Sequence, residues 1–251
     1  MLNTIVTGAG SDRPPLLIAH GLFGSARNWG VIAKKLAAEG RQVTACDMRN
    51  HGSSPWHDSQ SYEDMAADLA ELLEATTGPA DVLGHSMGGK ASMMLALTRP
   101  DLVGRLIVAD IAPVPYGHTQ SHNIDAMRGV DLEAVTNRSE AAAQLALGDP
   151  GVEAFLLQSL DLKEKRWRLN LDVLEKDMAK ILSFPAVSTQ FDGPTLFLSG
   201  GASDYVSRDH RETIKALFPH ARFAKIPGAG HWLHAEKPQE FIAAVSAFLN
   251  Q

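Results

Sequence analysis

The sequence predicts an α/β protein, a mostly parallel sheet flanked by helices. Two observations predict it. Short apolar runs alternate along the chain with longer stretches whose apolar residues recur at helical spacing. Nearly every apolar run stops abruptly at a polar residue or a glycine, as strands do where they empty onto a sheet edge. With 251 residues, the chain suits one α/β domain carrying an insertion better than two equal domains.

Taken in order, Leu2 to Val6 reads as an antiparallel edge strand. Leu16-Leu17-Ile18-Ala19 is a buried strand that ends at His20-Gly21. Trp29 to Ala38 has helical spacing, with Gly40 as its C-cap. Gln42 to Cys46 is the next strand and ends at Asp47. Ser61 to Ala75 opens on a serine cap and carries Glu63 and Asp64 in its first turn, where they complement the helix dipole. Ala80 to Leu83 is a strand running into Gly84-His85-Ser86, and the helix Met87 to Leu97 follows. Leu106 to Ala109 ends at Asp110. Thr195 to Leu198 ends at Ser199-Gly200-Gly201, Ser207 to Leu217 is helical, and Arg222 to Ile226 ends at Pro227-Gly228. Pro238 to Leu249 closes the chain as a helix with proline at its first position.

Between Pro113 and Phe191 the alternation stops. Ser139 to Leu147, Val152 to Leu160 and Leu169 to Leu182 read as helices, with no strand among them. Residues 113–191 are therefore expected to be a helical cap, inserted late in a sheet built from 1–112 and 192–251. Within it, the basic run Lys163 to Arg168 reads as a solvated helix face.

Composition excludes several functions. The 29 acidic residues against 23 basic ones give a charge of -6, which is unlike a nucleic-acid binder. No apolar run approaches the roughly 18 residues of a membrane span. The first residues lack a basic n-region and apolar h-region, and the lone Cys46 excludes an internal disulfide. The expectation is a soluble cytoplasmic chain. Neither length nor charge fixes an oligomeric state.

The chemistry centres on Gly84-His85-Ser86-Met87-Gly88, a G-x-S-x-G sequence between a strand and a helix. A sharp strand-to-helix turn needs small neighbours two positions either side of its central residue, and it stands Ser86 at a helix N-terminus. A serine needs a base to attack near neutral pH. His231, in the glycine-rich loop Pro227 to Trp232, is the candidate, with His234 its competitor. The acid that would orient it is Asp110 or Asp204. Both follow strands expected to neighbour the nucleophile strand, and spacing does not choose between them. Backbone amides of Met87 and of Leu22, just past the His20-Gly21 turn, are candidates to stabilise an oxyanion. No carboxylate cluster or metalloprotease motif accompanies the histidines, so neither metal nor organic cofactor is expected.

These segments resemble α/β-hydrolase fold serine esterases, and more narrowly the YbfF-type bacterial esterases and their mitochondrial relatives. The carrying residues are His20 to Ser25, Asp47 to Pro55, Gly84 to Lys90, Asp110 to Val114 and Gly228 to Pro238. Arg49-Asn50-His51-Gly52 discriminates, because the wider superfamily more often has Arg-Gly-x-Gly there. The resemblance implies Ser86 as nucleophile, His231 as base and Asp110 as acid, with a small polar residue, Ser203, where most hydrolases carry the acid. Asp204, one position later, departs from that pattern. In the loop Asp47 to Pro55, Arg49 and His51 are expected to brace neighbouring loops rather than react.

The expected reaction is hydrolysis of small to medium acyl esters through an acyl-enzyme, on a small-molecule substrate. A thioesterase or perhydrolase would use the same triad. A low-turnover ligand receptor could share the fold.

Overall fold

In the computed structural model, which describes residues 1–251, seven strands form one sheet. The elements in chain order are β1 (Thr4–Thr7), β2 (Leu16–Ala19), α1 (Gly30–Ala37), β3 (Val43–Cys46), α2 (Tyr62–Ala75), β4 (Ala80–His85), α3 (Met87–Thr98) and β5 (Val103–Ala109). Then come α4 (Ser121–Gly129), α5 (Arg138–Leu145), α6 (Pro150–Leu156), β6 (Leu160–Asp161), β7 (Arg166–Trp167), α7 (Leu171–Lys176) and α8 (Met178–Leu182). The chain returns through β8 (Thr195–Gly200), α9 (Arg211–Leu217), β9 (Ala221–Ile226), α10 (Leu233–Glu236) and α11 (Pro238–Leu249).

The sheet order is β1-β3-β2-β4-β5-β8-β9, and only β1 runs antiparallel. Side chains alternate across the sheet, and both faces are covered. Leu17 and Ala19 join a core beneath α2 and α3, whereas Leu16 and Ile18 pack with Trp29, Ile32, Phe241 and Val245 on the opposite face. Burial on both faces explains why these strands read as unbroken apolar runs. Parallel pairing brings the carboxyl ends of β2, β3, β4, β5, β8 and β9 to one edge.

Several expectations need correction. β8 does not neighbour β4, because β5 lies between them. The segment between β5 and β8 contains a short hairpin, β6 with β7, where no strand was expected. Of its two pairs, Leu160 with Trp167 is buried. Lys163 to Arg168 is that hairpin's turn and second strand, not a helix face. There Arg168 bonds Asp161 at 2.7 Å. The helix expected over Leu169 to Leu182 breaks at Asp177 into α7 and α8. The Asp177 carboxylate leaves the helical path to accept the Gln60 amide at 2.8 Å and Lys180 Nζ at 2.9 Å. Helix α4 has no counterpart in the sequence reading.

The turn from β4 into α3 depends on two close approaches. Ser86 has φ 51° and ψ -119°, outside the usual territory of side-chain-bearing residues. A Cβ on Gly84 would lie 2.2 Å from the Gly88 carbonyl oxygen, and one on Gly88 would lie 2.4 Å from that of Ala19. These are backbone atoms and cannot swing aside. Gly88→Ala is therefore expected to lower unfolding stability by about 1–3 kcal/mol. Gly129→Ala, whose Cβ would meet nothing within 4 Å, should change it little. Urea denaturation of the two variants reads the contrast, and equal losses would contradict it.

Candidate active site

The loops after the strands bring the expected residues together. His231, after β9, donates from Nδ1 to Asp110 Oδ2 at 2.8 Å, and its Nε2 accepts from Ser86 Oγ at 3.0 Å. Asp110, after β5, is fully buried and also adopts a positive φ, 51°. Its carboxylate takes two further donors, the Gly200 amide at 2.9 Å and the Ser203 hydroxyl. A buried carboxylate needs such donors to be tolerated at all. Asp204 is exposed on the same loop, and it is Ser203 that meets Asp110.

Leu22 and Met87 line one cavity with Ser86 and His231. Met87 opens α3, so its amide lies among the first helical N–H groups, which have no carbonyl partner within the helix. The cavity has a volume of about 120 Å³. Tyr62, Met87, Ile111 and Ile181 form a buried, largely apolar part of its lining. Phe155 and Trp232 lie together in its lining, with ring centroids 5.3 Å apart.

Histidines whose partners are backbone groups hold the surrounding loops. His20 donates from Nδ1 to the Gly21 carbonyl at 2.8 Å and accepts the Met48 amide at Nε2. His51 donates to the Arg49 carbonyl and accepts the Phe23 amide. His85 donates from Nε2 to the His231 carbonyl at 2.9 Å. Arg49 forks onto Asp68 at 2.6 and 2.8 Å, so the Asp47 to Pro55 loop is braced by its own side chains. His234, the competing base, instead stacks on Trp29 at 4.3 Å. Cys46 is buried, and burial pushes its thiol up, away from the reactive thiolate. No group of three His, Cys, Asp or Glu side chains gathers as a metal site would require.

Three residues of this region were not anticipated. Tyr205 stacks on the His231 ring at 3.9 Å. The Tyr116 hydroxyl donates to the Tyr205 carbonyl at 2.7 Å and accepts the Ala112 amide at 2.9 Å. Lys90 is buried in α3. The sequence signal for Lys90 is its place at the end of the resembling stretch Gly84 to Lys90, directly after Gly88-Gly89, and a lysine there reads by default as solvated.

Catalytic-type groups at the carboxyl edge of a parallel sheet, with the serine on a strained strand-to-helix turn, define a class of hydrolase. The comparisons agree. A family model described as the alpha/beta hydrolase fold matches residues 14–238, and the chain belongs to that family. It is 40% identical over 244 residues to esterase YbfF of Escherichia coli strain K12, with 95% of this chain and 94% of the relative aligned. It is 44% identical over 249 residues to the mouse sn-1-specific diacylglycerol lipase ABHD11, covering 94% of this chain and 81% of that one. The solved structure of a marine microorganism esterase is 39% identical and superposes with a TM-score of 0.92, covering 99% of this chain and 100% of its own. Within the family, the chain is a carboxylic ester hydrolase. No helix is long and apolar enough to cross a membrane.

The buried histidines make stability depend on pH. Burial pushes His51 and His234 down to about 3 and holds His20 and His85 below the ordinary histidine range. The unfolded chain takes up these protons below pH 6.5, whereas folded His51 and His234 stay neutral down to about pH 3. Stability should thus be full above pH 6.5 and fall by about 1.4 kcal/mol per pH unit for each of His51 and His234 as the medium is acidified. Urea unfolding from pH 7.5 to 4.5 measures this decline, and a flat profile would show that the rings protonate in place.

Proposed function

We propose that Ser86 is the nucleophile of a serine esterase, with His231 its base and Asp110 the acid that holds the imidazole. The observation that carries this is the chain of hydrogen bonds from Ser86 Oγ to His231 at 3.0 Å and from His231 to Asp110 at 2.8 Å. Ser86 attacks the ester carbonyl as its proton passes to His231 Nε2, and a tetrahedral oxyanion forms. The amides of Leu22 and Met87 receive that oxyanion. His231 returns the proton to the leaving alcohol, and water, activated by the same ring, hydrolyses the acyl-enzyme. Residues 113–191 act as a cap over a core made of 1–112 and 192–251.

The substrate in this reading is a small-molecule ester with a small to medium acyl group. The buried part of the lining, with Tyr62, Met87, Ile111 and Ile181, suits an apolar acyl chain and forms the acyl end of the cavity in this reading. The half-buried Phe155 and Trp232 in the same lining suit the alcohol. The relatives named esterase and lipase support ester chemistry of this kind.

Ser86→Ala should abolish turnover of p-nitrophenyl butyrate and labelling by a fluorophosphonate. Asp110→Asn should lower kcat by about 10³–10⁴-fold, whereas Asp204→Asn should stay within about threefold. If the second variant is the crippled one, Asp110 is not the acid. A rate series over p-nitrophenyl esters and acyl-CoA thioesters of increasing length tests the substrate class. Faster turnover of thioesters throughout would replace the esterase reading with a thioesterase one.

A further inference from the structure

Lys90 lies four residues after Ser86 on α3, and its amide donates to the Ser86 carbonyl at 3.0 Å. Its side chain is 1% exposed and makes no ion pair with a carboxylate. Instead the ammonium donates to three backbone carbonyls: Val114 at 2.8 Å, Leu182 at 3.1 Å and Ser183 at 2.6 Å. An ammonium has three donors, and all three are used. Val114 stands where the chain leaves the sheet after β5. Leu182 and Ser183 stand where it comes back after α8. The two crossings also meet directly, since the Tyr116 amide donates to the Leu182 carbonyl at 3.0 Å. The Tyr116 ring lies 4.7 Å from the ammonium and adds a cation–π contact.

Burying an unpaired ammonium is costly, and burial here pushes Lys90 down to about 7. Filling space does not require that cost, because a methionine would fill it without a charge. What the charge supplies is a link between both crossings and the helix that begins at Ser86. Tyr116, Ile181 and Leu182, on or beside those crossings, line the cavity.

We propose that Lys90 is a positioning residue for ester hydrolysis: it fixes both crossings of the insertion to α3 and so sets the wall of the acyl end relative to Ser86. This rests on the esterase reading for its kinetics but not for its geometry. Loss of the link should loosen the wall and weaken the hold on long acyl chains more than on short ones.

The test compares wild type, Lys90→Gln and Lys90→Met. Glutamine keeps two donors on a shorter stem, and methionine keeps the shape with none. The ratio of KM for p-nitrophenyl hexanoate to KM for the acetate should rise in that order, by about tenfold for Lys90→Met, while kcat on the two esters falls in parallel. Amide hydrogen exchange should quicken by about tenfold or more in residues 112–118 and 181–185 and stay unchanged in β4. An unchanged KM ratio overturns the proposal, as does unchanged exchange at the crossings. If Lys90→Met does not fold, the same two measurements on Lys90→Gln decide. If wild type turns over no ester, the esterase reading fails by itself and exchange alone judges Lys90.

Discussion

The two backbone approaches beside Ser86 leave no room for a methyl group: 2.2 Å from the place of a Gly84 Cβ to the Gly88 oxygen, and 2.4 Å from that of a Gly88 Cβ to the Ala19 oxygen. They press the start of α3 against the ends of β4 and β2 at once. The loop after β2, which carries Leu22, is thereby held beside the helix N-terminus that carries Met87. Leu22 and Met87 then line one cavity with Ser86. Because Ser86 itself sits at φ 51°, its side chain stands clear of the helix rather than capping it. Strain of this kind persists only where the surroundings fix it on all sides. Here a parallel sheet buried on both faces and a mostly apolar, buried α3 do so.

Around that turn the polar groups are organised by backbone partners more than by charges. His20 and His51 each donate from Nδ1 to a carbonyl and accept an amide at Nε2, which selects one neutral tautomer. His85 donates from Nε2 to the carbonyl of His231 itself, so one histidine positions the main chain of another. These histidine ties are made by neutral rings and backbone groups. Under the proposed mechanism, fixed neutral dipoles need not reorganise as the oxyanion's charge appears. The acid limb of the stability profile follows from the same choice, since neutral rings are what protonation removes.

Much of this was legible in the sequence, for reasons that can be named. The parallel strands showed as unbroken apolar runs because both sheet faces are covered. Ser86 and His231 showed because each sits in a glycine-marked local motif. Asp110 showed less clearly, because the choice against Asp204 depends on β5 lying between β4 and β8, and strand order is not a local property. The hairpin β6–β7 was illegible because two-residue strands have no periodicity to detect. Helix α4 was missed because its sequence, Ser121-His122-Asn123 onward, has few apolar positions. Lys90 was missed because its carbonyl partners lie on both sides of a long insertion. No pattern along the chain predicts that they meet.

The position proposed for the acid shows how two adjacent strands divide one task. The turn after β5 supplies the carboxylate, and the end of β8 and the loop after it supply donors to it, the Gly200 amide and the Ser203 hydroxyl. These hold the carboxylate in the orientation that meets His231 Nδ1. Two residues further along, the Tyr205 ring lies 18° from the imidazole plane at 3.9 Å and limits how far the imidazole can tilt. A carboxylate at Ser203 would compete with Asp110 for the same imidazole hydrogen, and two like charges so close would disfavour ionisation of both. A serine there donates instead. A hydroxyl after β8 and a carboxylate after β5 are therefore complementary choices, and Asp204, one residue beyond, is left to solvent.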